Sequence, residues 1–330
     1  MKSKLKKIIS DLDPKLLKVD KIKITSFKKL GVGEGNLNYV FDVDNKRFIC
    51  RINVDKNMPN KSLNEYAALK TVEKLDIAPK VYYLHKKDKE FPYGFIILKF
   101  IDGKAFRMKK RNYTKDQIRQ LADILADLHL KKCAGLKKKG YIYSHYLSEG
   151  EYYIKKVNEY SNNKLDKELR QLNTEIKDFL PEKEDHKFAL VHGDVCPQNI
   201  VATASGLKLI DWEELECSDP AKDIARVLND LELKGNNLDL FMKSYKAQRK
   251  DKDILERAKI YAVLLRYANV MWELVRAFEV LNKELPAAYL QKTSVQEHIN
   301  EAKFQFRHLR KLVNIRAIEV GALYGSMHSD

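Results

Sequence analysis

The chain has 330 residues, 44% of them hydrophobic, and its 62 Lys and Arg against 46 Asp and Glu give a net charge of +16. That length and apolar content exclude a disordered chain and allow one large or two moderate domains. The lysines are scattered, with dense runs only over residues 2–7 and 131–139, and no nucleic-acid motif accompanies them, so nucleic acid is not expected as a partner.

Cys50, Cys133, Cys196 and Cys217 share no C-x-x-C spacing, which speaks against a zinc site or a disulfide framework and for reduced thiols. The N-terminal MKSKLKKIISDLDPKLL is basic but lacks a long apolar signal core, and no apolar run approaches the roughly 18 residues of a membrane span. A soluble, cytoplasmic protein without a membrane span is expected, its oligomeric state left open.

From about residue 21 the pattern is strand-like: KITSFKKL, a glycine turn GVGEGN, LNYVFDVD, a turn at Asp44 and Asn45, then RFICRINV. Residues 62–75 switch to helical spacing through Leu63, Tyr66, Ala67, Val72 and Leu75. Two further strands, VYYLH and FIILKF, flank a charged turn at residues 86–90, making five strands with one helix after the third. Beyond Gly103 long helices take over, beginning with a Thr114–Gln117 capping box ahead of Ile118, Leu121, Ile124, Leu125 and Leu128. Helix is expected again over 150–180, from Asp223, and over 253–282 and 293–318, with a short hairpin IVATASGLKLID turning at Ser205 and Gly206. The boundary falls near Asp102 and Gly103, so the expected domains are 1–101 and 102–330.

The chemistry concentrates in VHGDVCPQNI, residues 191–200, and LIDWE, residues 209–213. Asp194 is placed to meet a hydroxyl, and Asn199 with Asp211, twelve residues apart across the hairpin, supply the hard oxygens that Mg²⁺ prefers. Gly31, Gly33 and Gly35 form a turn that suits close approach of phosphate, although a plain hairpin would need the same glycines. Arg51 on the next strand is a fixed cation for phosphates, with Glu65 as its partner. Ser62 and Glu65 equally fit an S-x-x-E helix cap, and on the residues alone the two readings stay level. His192 is expected to hold its loop through backbone hydrogen bonds rather than to activate Cys196.

HGDVCPQN, IDWE and DPAKDIA together resemble the aminoglycoside phosphotransferase and choline kinase family, which has the protein-kinase-like fold. Looser likenesses run through GEGNLNYVFDV, NEYAALKTVEKLDIAPKVY, FIILKFIDG and LADILADLH. The resemblance implies an α+β, bilobal protein-kinase-like fold, with a small lobe of five antiparallel strands plus a helix and a large, mainly helical lobe. It implies ATP and Mg²⁺ as cofactors, Asp194 as catalytic base, and Asn199 and Asp211 on the metal. Gly33, Gly35, Asn36 and Arg51 would take the phosphates, with Glu65 bracing Arg51, and the backbone C=O of Lys99 and N–H of Ile101 would meet adenine. Asp223 would brace the catalytic loop, and Asp219 with Pro220 would start its helix.

Two departures narrow the class. Cys196 stands where a protein serine/threonine kinase usually has lysine, and only eleven residues separate Asp211 from Asp223, too few for a peptide platform. Both favour a small-molecule hydroxyl acceptor, an amino alcohol, an aminoglycoside or a sugar, over an atypical protein kinase or a non-catalytic nucleotide-binding scaffold. Glu213 and Trp272 are the acceptor-side candidates. Trp272, in RYANVMWELVRAFE, reads as core as well as cation-binding aromatic.

Overall fold

Strand alternation builds the first part of the molecule. In the computed structural model, which describes residues 1–32, 35–54, 60–107, 112–133, 142–182, 187–285 and 287–313, two short helices, α1 (Lys2–Ser10) and α2 (Pro14–Leu17), precede the sheet. Strands β1 (Ser26–Val32), β2 (Asn36–Val43) and β3 (Lys46–Asn53) follow, then α3 (Lys61–Val72), β4 (Val81–His85) and β5 (Phe95–Lys99). Next come β6 (Lys104–Ala105), α4 (Lys115–His129), α5 (Ile142–Ser161), α6 (Asp166–Phe179), β7 (Ala189–Val191), β8 (Ile200–Thr203), β9 (Gly206–Leu209) and β10 (Glu216–Ser218). The remainder is helical: α7 (Ala221–Asn229), α8 (Asn236–Gln248), α9 (Ile254–Leu281), α10 (Ala287–Leu290) and α11 (Val295–Leu312). Gly33 lies outside the described residues.

The chain divides into two compact units. The first comprises Met1–Lys131, His192–Leu215 and Lys234–Arg249. Its antiparallel sheet has the order β1-β2-β3-β5-β4, the five strands expected. Asp44 and Asn45, both at positive φ (47° and 58°), turn β2 into β3 with the primed geometry that suits the strand twist. Phe48, Cys50 and Ile52 alternate onto one face of β3 and join Leu5, Ile9, Leu17, Phe41 and Phe95 in one core cluster. The N-terminal helices therefore cover that face with a few apolar anchors, while the lysines of α1 point outward.

Helix α4 starts at Thr114 with both halves of the expected capping box present. It pairs with α8 through a 2.8 Å bond between His129 Nδ1 and Tyr245 Oη, and its Gln120 Oε1 accepts the Leu207 N–H at 3.1 Å. The hairpin is further tied where the Leu209 N–H meets the Ile77 C=O at 2.7 Å.

The second unit comprises Lys132–Val191, Glu216–Leu233 and Lys250–Asp330. Helix α9 runs through it against α5, α7 and α11, and 16 of its side chains are buried. Gly150 lets α5 approach closely, since a Cβ there would stand 1.9 Å from Tyr267 Oη. The stretch expected as helix over 150–180 is two helices, because Asn162 and Asn163 take positive φ and end the first one. Asp219 accepts the Ala221 N–H at 2.9 Å, so Asp219 and Pro220 do start α7. Asp219 also binds Arg257, which in turn holds Asp251, and Asp251 meets Lys187 at 2.9 Å.

The expectation of four free thiols is corrected here. Cys133 and Cys217 form a disulfide, while Cys50 and Cys196 remain free and buried. The two partners are 84 residues apart in sequence, yet their Cα atoms lie 5.4 Å apart, a juxtaposition that no local spacing announces. No helix among the described residues is long and apolar enough to cross a membrane.

Candidate active site

The loop after β7 is shaped by Gly193. Its φ of +85° and the position its Cβ would take, 2.6 Å from the Glu214 C=O, leave no room for a side chain. His192, wholly buried, bridges the loop: Nδ1 accepts the Asp194 N–H at 3.2 Å, and Nε2 lies 3.1 Å from the Ile210 C=O. The two bonds together define the tautomer with its proton on Nε2. Trp212 packs its ring 4.5 Å from that imidazole and donates Nε1–H to the Leu209 C=O at 2.8 Å. The tryptophan of IDWE thus serves as a buried wedge, and Asp211 before it is turned into the left-handed region at φ +66°.

Asn199 locks onto the same loop. Its Nδ2 donates to Asp194 Oδ2 at 2.8 Å and to the Asp194 C=O at 3.0 Å, which turns Oδ1 to the other side of the amide. The Asn199 C=O accepts the Ile210 N–H at 2.9 Å, and Ile200 pairs with Leu209 below it. The hairpin therefore brings Asn199 beside the strand end that carries Asp211. Cys196 directs its Sγ at Asp194 Oδ2, 3.8 Å away, a weak donor that leaves the carboxylate the dominant group.

Arg51 sits on the face of β3 opposite the core cluster, as the alternation from Ile52 requires. Its Nη2 binds Asp211 Oδ1 at 2.6 Å and Glu213 Oε2 at 3.0 Å. On its other side Nε stands 2.9 Å from Glu65 Oε2, an ion pair without hydrogen-bond alignment. Glu65 is the fifth residue of α3, which begins at Lys61 with no side-chain cap, so the S-x-x-E box does not form. Helix α3 starts one residue ahead of Ser62 and leaves that serine inside the first turn.

Burial shapes the electrostatics. It pushes the Glu65 carboxyl up to about 7, with Arg51 opposing and the Asp211 and Glu213 charges adding. Burial likewise raises Asp211, against the pull of Arg51 and with the repulsion of Glu213 and Asp194. Glu213 moves the other way: burial is outweighed by Arg51 and Lys61, and its carboxyl is held below the ordinary value. Burial disfavours the Arg51 charge too, but Glu65, Asp211 and Glu213 overcome it and secure the cation.

Sequence reasoning missed Lys61, whose Nζ lies 2.7 Å from Glu213 Oε1. A lysine in the first turn of a helix runs against the helix dipole, and that signal points to a nearby anion. Asn36, at the start of β2, donates Nδ2 to Glu213 Oε2 at 3.2 Å, and the Gly35 C=O accepts the Val54 N–H at 2.9 Å. At the end of β5 the Lys99 N–H bonds the Lys80 C=O at 2.8 Å and the Phe100 N–H bonds the Arg47 C=O at 3.0 Å, fixing the chain just before Ile101. Asp223 and Trp272 belong to the second unit. Asp223 is wholly buried in the first turn of α7. Trp272 is half-buried on α9, with the Arg276 guanidinium over its ring at 5.0 Å and His298 edge-on at 6.2 Å.

The donor set suits a metal shared with phosphate. Among the described residues no cluster of three or more His, Cys, Asp and Glu forms a protein cage. One carboxylate and one amide oxygen from the chain, completed by phosphate oxygens and water, is the arrangement Mg²⁺ favours.

A protein-kinase-like sheet, a loop aspartate bonded to an asparagine, and an arginine held between carboxylates define a phosphoryl-transfer class. The chain belongs to the phosphotransferase enzyme family, whose model matches residues 26–248. Its fold is similar to that of the choline kinase LicA from Streptococcus pneumoniae, with 19% identity, a TM-score of 0.59, and 93% of this chain and 99% of that one covered. LicA also has a structure in complex with AMP. A choline/ethanolamine kinase family protein from Mesorhizobium loti is similar over 99% of both chains, at 15% identity and a TM-score of 0.66. The spectinomycin phosphotransferase APH(9)-Ia, solved with ADP and spectinomycin, is similar at 14% identity and a TM-score of 0.59, over 86% of this chain and 93% of that one. No curated protein matches the chain in sequence.

Proposed function

We propose that this chain moves the γ-phosphate of ATP, with Mg²⁺, to a hydroxyl of a small metabolite. The observation that carries the proposal is the connected set Glu65–Arg51–Asp211 beside Asn199–Asp194, with Arg51 to Asp211 at 2.6 Å and Asn199 to Asp194 at 2.8 Å. Residues 1–101 would form the nucleotide-binding part and 102–330 the catalytic and acceptor-binding part.

In this reading Asp194 accepts the hydroxyl proton while the acceptor oxygen bonds to the γ-phosphorus. The bond from that phosphorus to the bridging oxygen breaks, and ADP leaves. The transition state is loose, so Asp194 mainly orients the hydroxyl and takes its proton late. Asn199 serves twice: its Nδ2 fixes the Asp194 carboxylate, and its Oδ1 joins Asp211 toward Mg²⁺. The metal, when bound, neutralises charge on the phosphate oxygens. Arg51 contacts phosphate with Glu65 holding its Nε side, and Gly35 and Asn36 lie at the phosphate turn, with Gly33 kept as a candidate from the sequence alone. The Lys99 C=O and Ile101 N–H recognise adenine by backbone alone. His192 supports the loop. Trp272 is kept as an acceptor-side candidate, and Arg276, already over its ring, competes for any incoming ammonium group. The AMP and ADP complexes among the similar structures support nucleotide use, and the choline and spectinomycin names support a small acceptor.

The test is nucleotide consumption over a panel of amino alcohols, aminoglycosides, sugars and homoserine, with wild type and Asp194→Ala compared on the accepted substrate. The variant should lose turnover by roughly a thousandfold or more while keeping ADP affinity. Near-wild-type turnover by Asp194→Ala, or phosphate appearing on protein instead of a metabolite, would refute the assignment.

A further inference from the structure

Three nitrogen donors converge on the Glu213 carboxylate. Asn36 Nδ2 approaches Oε2 at 3.2 Å from the start of β2, Arg51 Nη2 the same oxygen at 3.0 Å from β3, and Lys61 Nζ reaches Oε1 at 2.7 Å from the first turn of α3. Two of the three are full cations, and all three are groups that bind phosphate oxygens as readily as carboxylate. The side chains of Arg51 and Lys61 are each 13% exposed and that of Glu213 16%, so water screens these contacts little. Three separate elements, one of them opening directly from the glycine turn, thus build an anion cradle, and the chain's own carboxylate sits in it.

We propose that Glu213 is a tethered competitor for the nucleotide's polyphosphate and that Lys61 is a second phosphate-binding cation beside Arg51. The inference rests on the nucleotide reading above and assigns Glu213 to the nucleotide side instead of the acceptor side. Nucleotide entry moves the carboxylate off both cations, and Glu65 keeps Arg51 in place because it holds the opposite edge of the guanidinium. Lys61 is then a binding residue for the nucleotide and Glu213 a positioning residue that sets how readily the cradle opens.

The experiment is calorimetric titration of ADP with Mg²⁺, without acceptor, into wild type, Lys61→Met, Lys61→Arg and Glu213→Gln, each checked for a native melting transition. Losing one charge-assisted contact should weaken ADP about tenfold in Lys61→Met, with Lys61→Arg restoring most of it. Glu213→Gln should tighten ADP by about three- to tenfold, because the neutral amide competes less well for the two cations. A merely structural role would not give opposite signs in the two variants. If Lys61→Met melts early, the Glu213→Gln arm decides. Unchanged or weakened ADP binding in Glu213→Gln, beside a wild type that binds, overturns this inference and leaves the phosphotransferase reading standing. A wild type that binds neither ADP nor GDP overturns both.

Discussion

Reducing the Cys133–Cys217 bond should lower the melting temperature without touching the candidate active-site residues. The bridge closes a loop with a sequence separation of 84 residues. The chain-entropy relation gives about 4.6 kcal/mol for such a loop, and measured bridges usually contribute about 2–4 kcal/mol. Unfolding entropy near 2.1 cal/mol/K per residue, taken over 330 residues, makes each kcal/mol worth about 1.4 °C. The expected drop is therefore about 3–6 °C if the whole chain melts together, and roughly twice that if the unit holding the bridge melts alone. The assay is calorimetry of the air-oxidised protein with and without dithiothreitol, beside the double variant Cys133→Ser, Cys217→Ser. Thiol titration in denaturant should count two free thiols before reduction and four after, since Cys50 and Cys196 are free. Four thiols before reduction, or a melting temperature indifferent to dithiothreitol in wild type, would refute the reasoning.

Three further outcomes are expected. Gly193→Ala places a Cβ 2.6 Å from the Glu214 C=O at φ +85°, so it should destabilise by about 1–3 kcal/mol and, by displacing Asp194, lower kcat about a hundredfold; a Tm within 1 °C of wild type would contradict this. Gly150→Ala drives a Cβ into Tyr267 Oη and should weaken the α5–α9 contact by about 1–3 kcal/mol in urea unfolding, with catalysis less affected than stability. Asp251 is buried, which alone would raise its carboxyl, but hydrogen bonds from Arg257 and Lys187 prevail and hold it at about 2, below its ordinary 3.8. A depressed folded value means stability present above pH 3.8 and lost as pH falls through about 2, so wild type should exceed Asp251→Asn by roughly 2 kcal/mol near neutrality, with the gap closing on acidification; a pH-independent gap would count against the ion pair.

Much of the sheet was readable because its signals are local. Alternation through RFICRINV set Arg51 on the face away from Phe48, Cys50 and Ile52, and Asp44-Asn45 announced its own turn. The Thr114–Gln117 box is likewise local, and the Ser294–Glu297 box ahead of α11 carries the same signature. Glu65 shows where local reading stops: a cap with Ser62 and an ion pair with Arg51 both call for a glutamate at this position, and only the start of α3 at Lys61 separates them. Leu5 and Ile9 lie among four lysines, so the apolar stripe that docks α1 is two residues wide and hard to see. Cys133 with Cys217 and Lys61 with Glu213 are pairings of distant segments, and spacing along the chain carries no trace of them.

The core beneath β3 bears on how the protein should be cut for the bench. An expression clone trimmed to the family match, residues 26–248, would delete Leu5, Ile9, Leu17 and Ile22 and lay bare Phe41 on β2 with Phe48 and Cys50 on the underside of β3, the strand that carries Arg51. At the other end it would remove Arg257 and leave Asp219 a buried carboxylate without that counterion. The helices flanking the recognisable core thus act as its lining, and sequence likeness alone would place the scissors inside it.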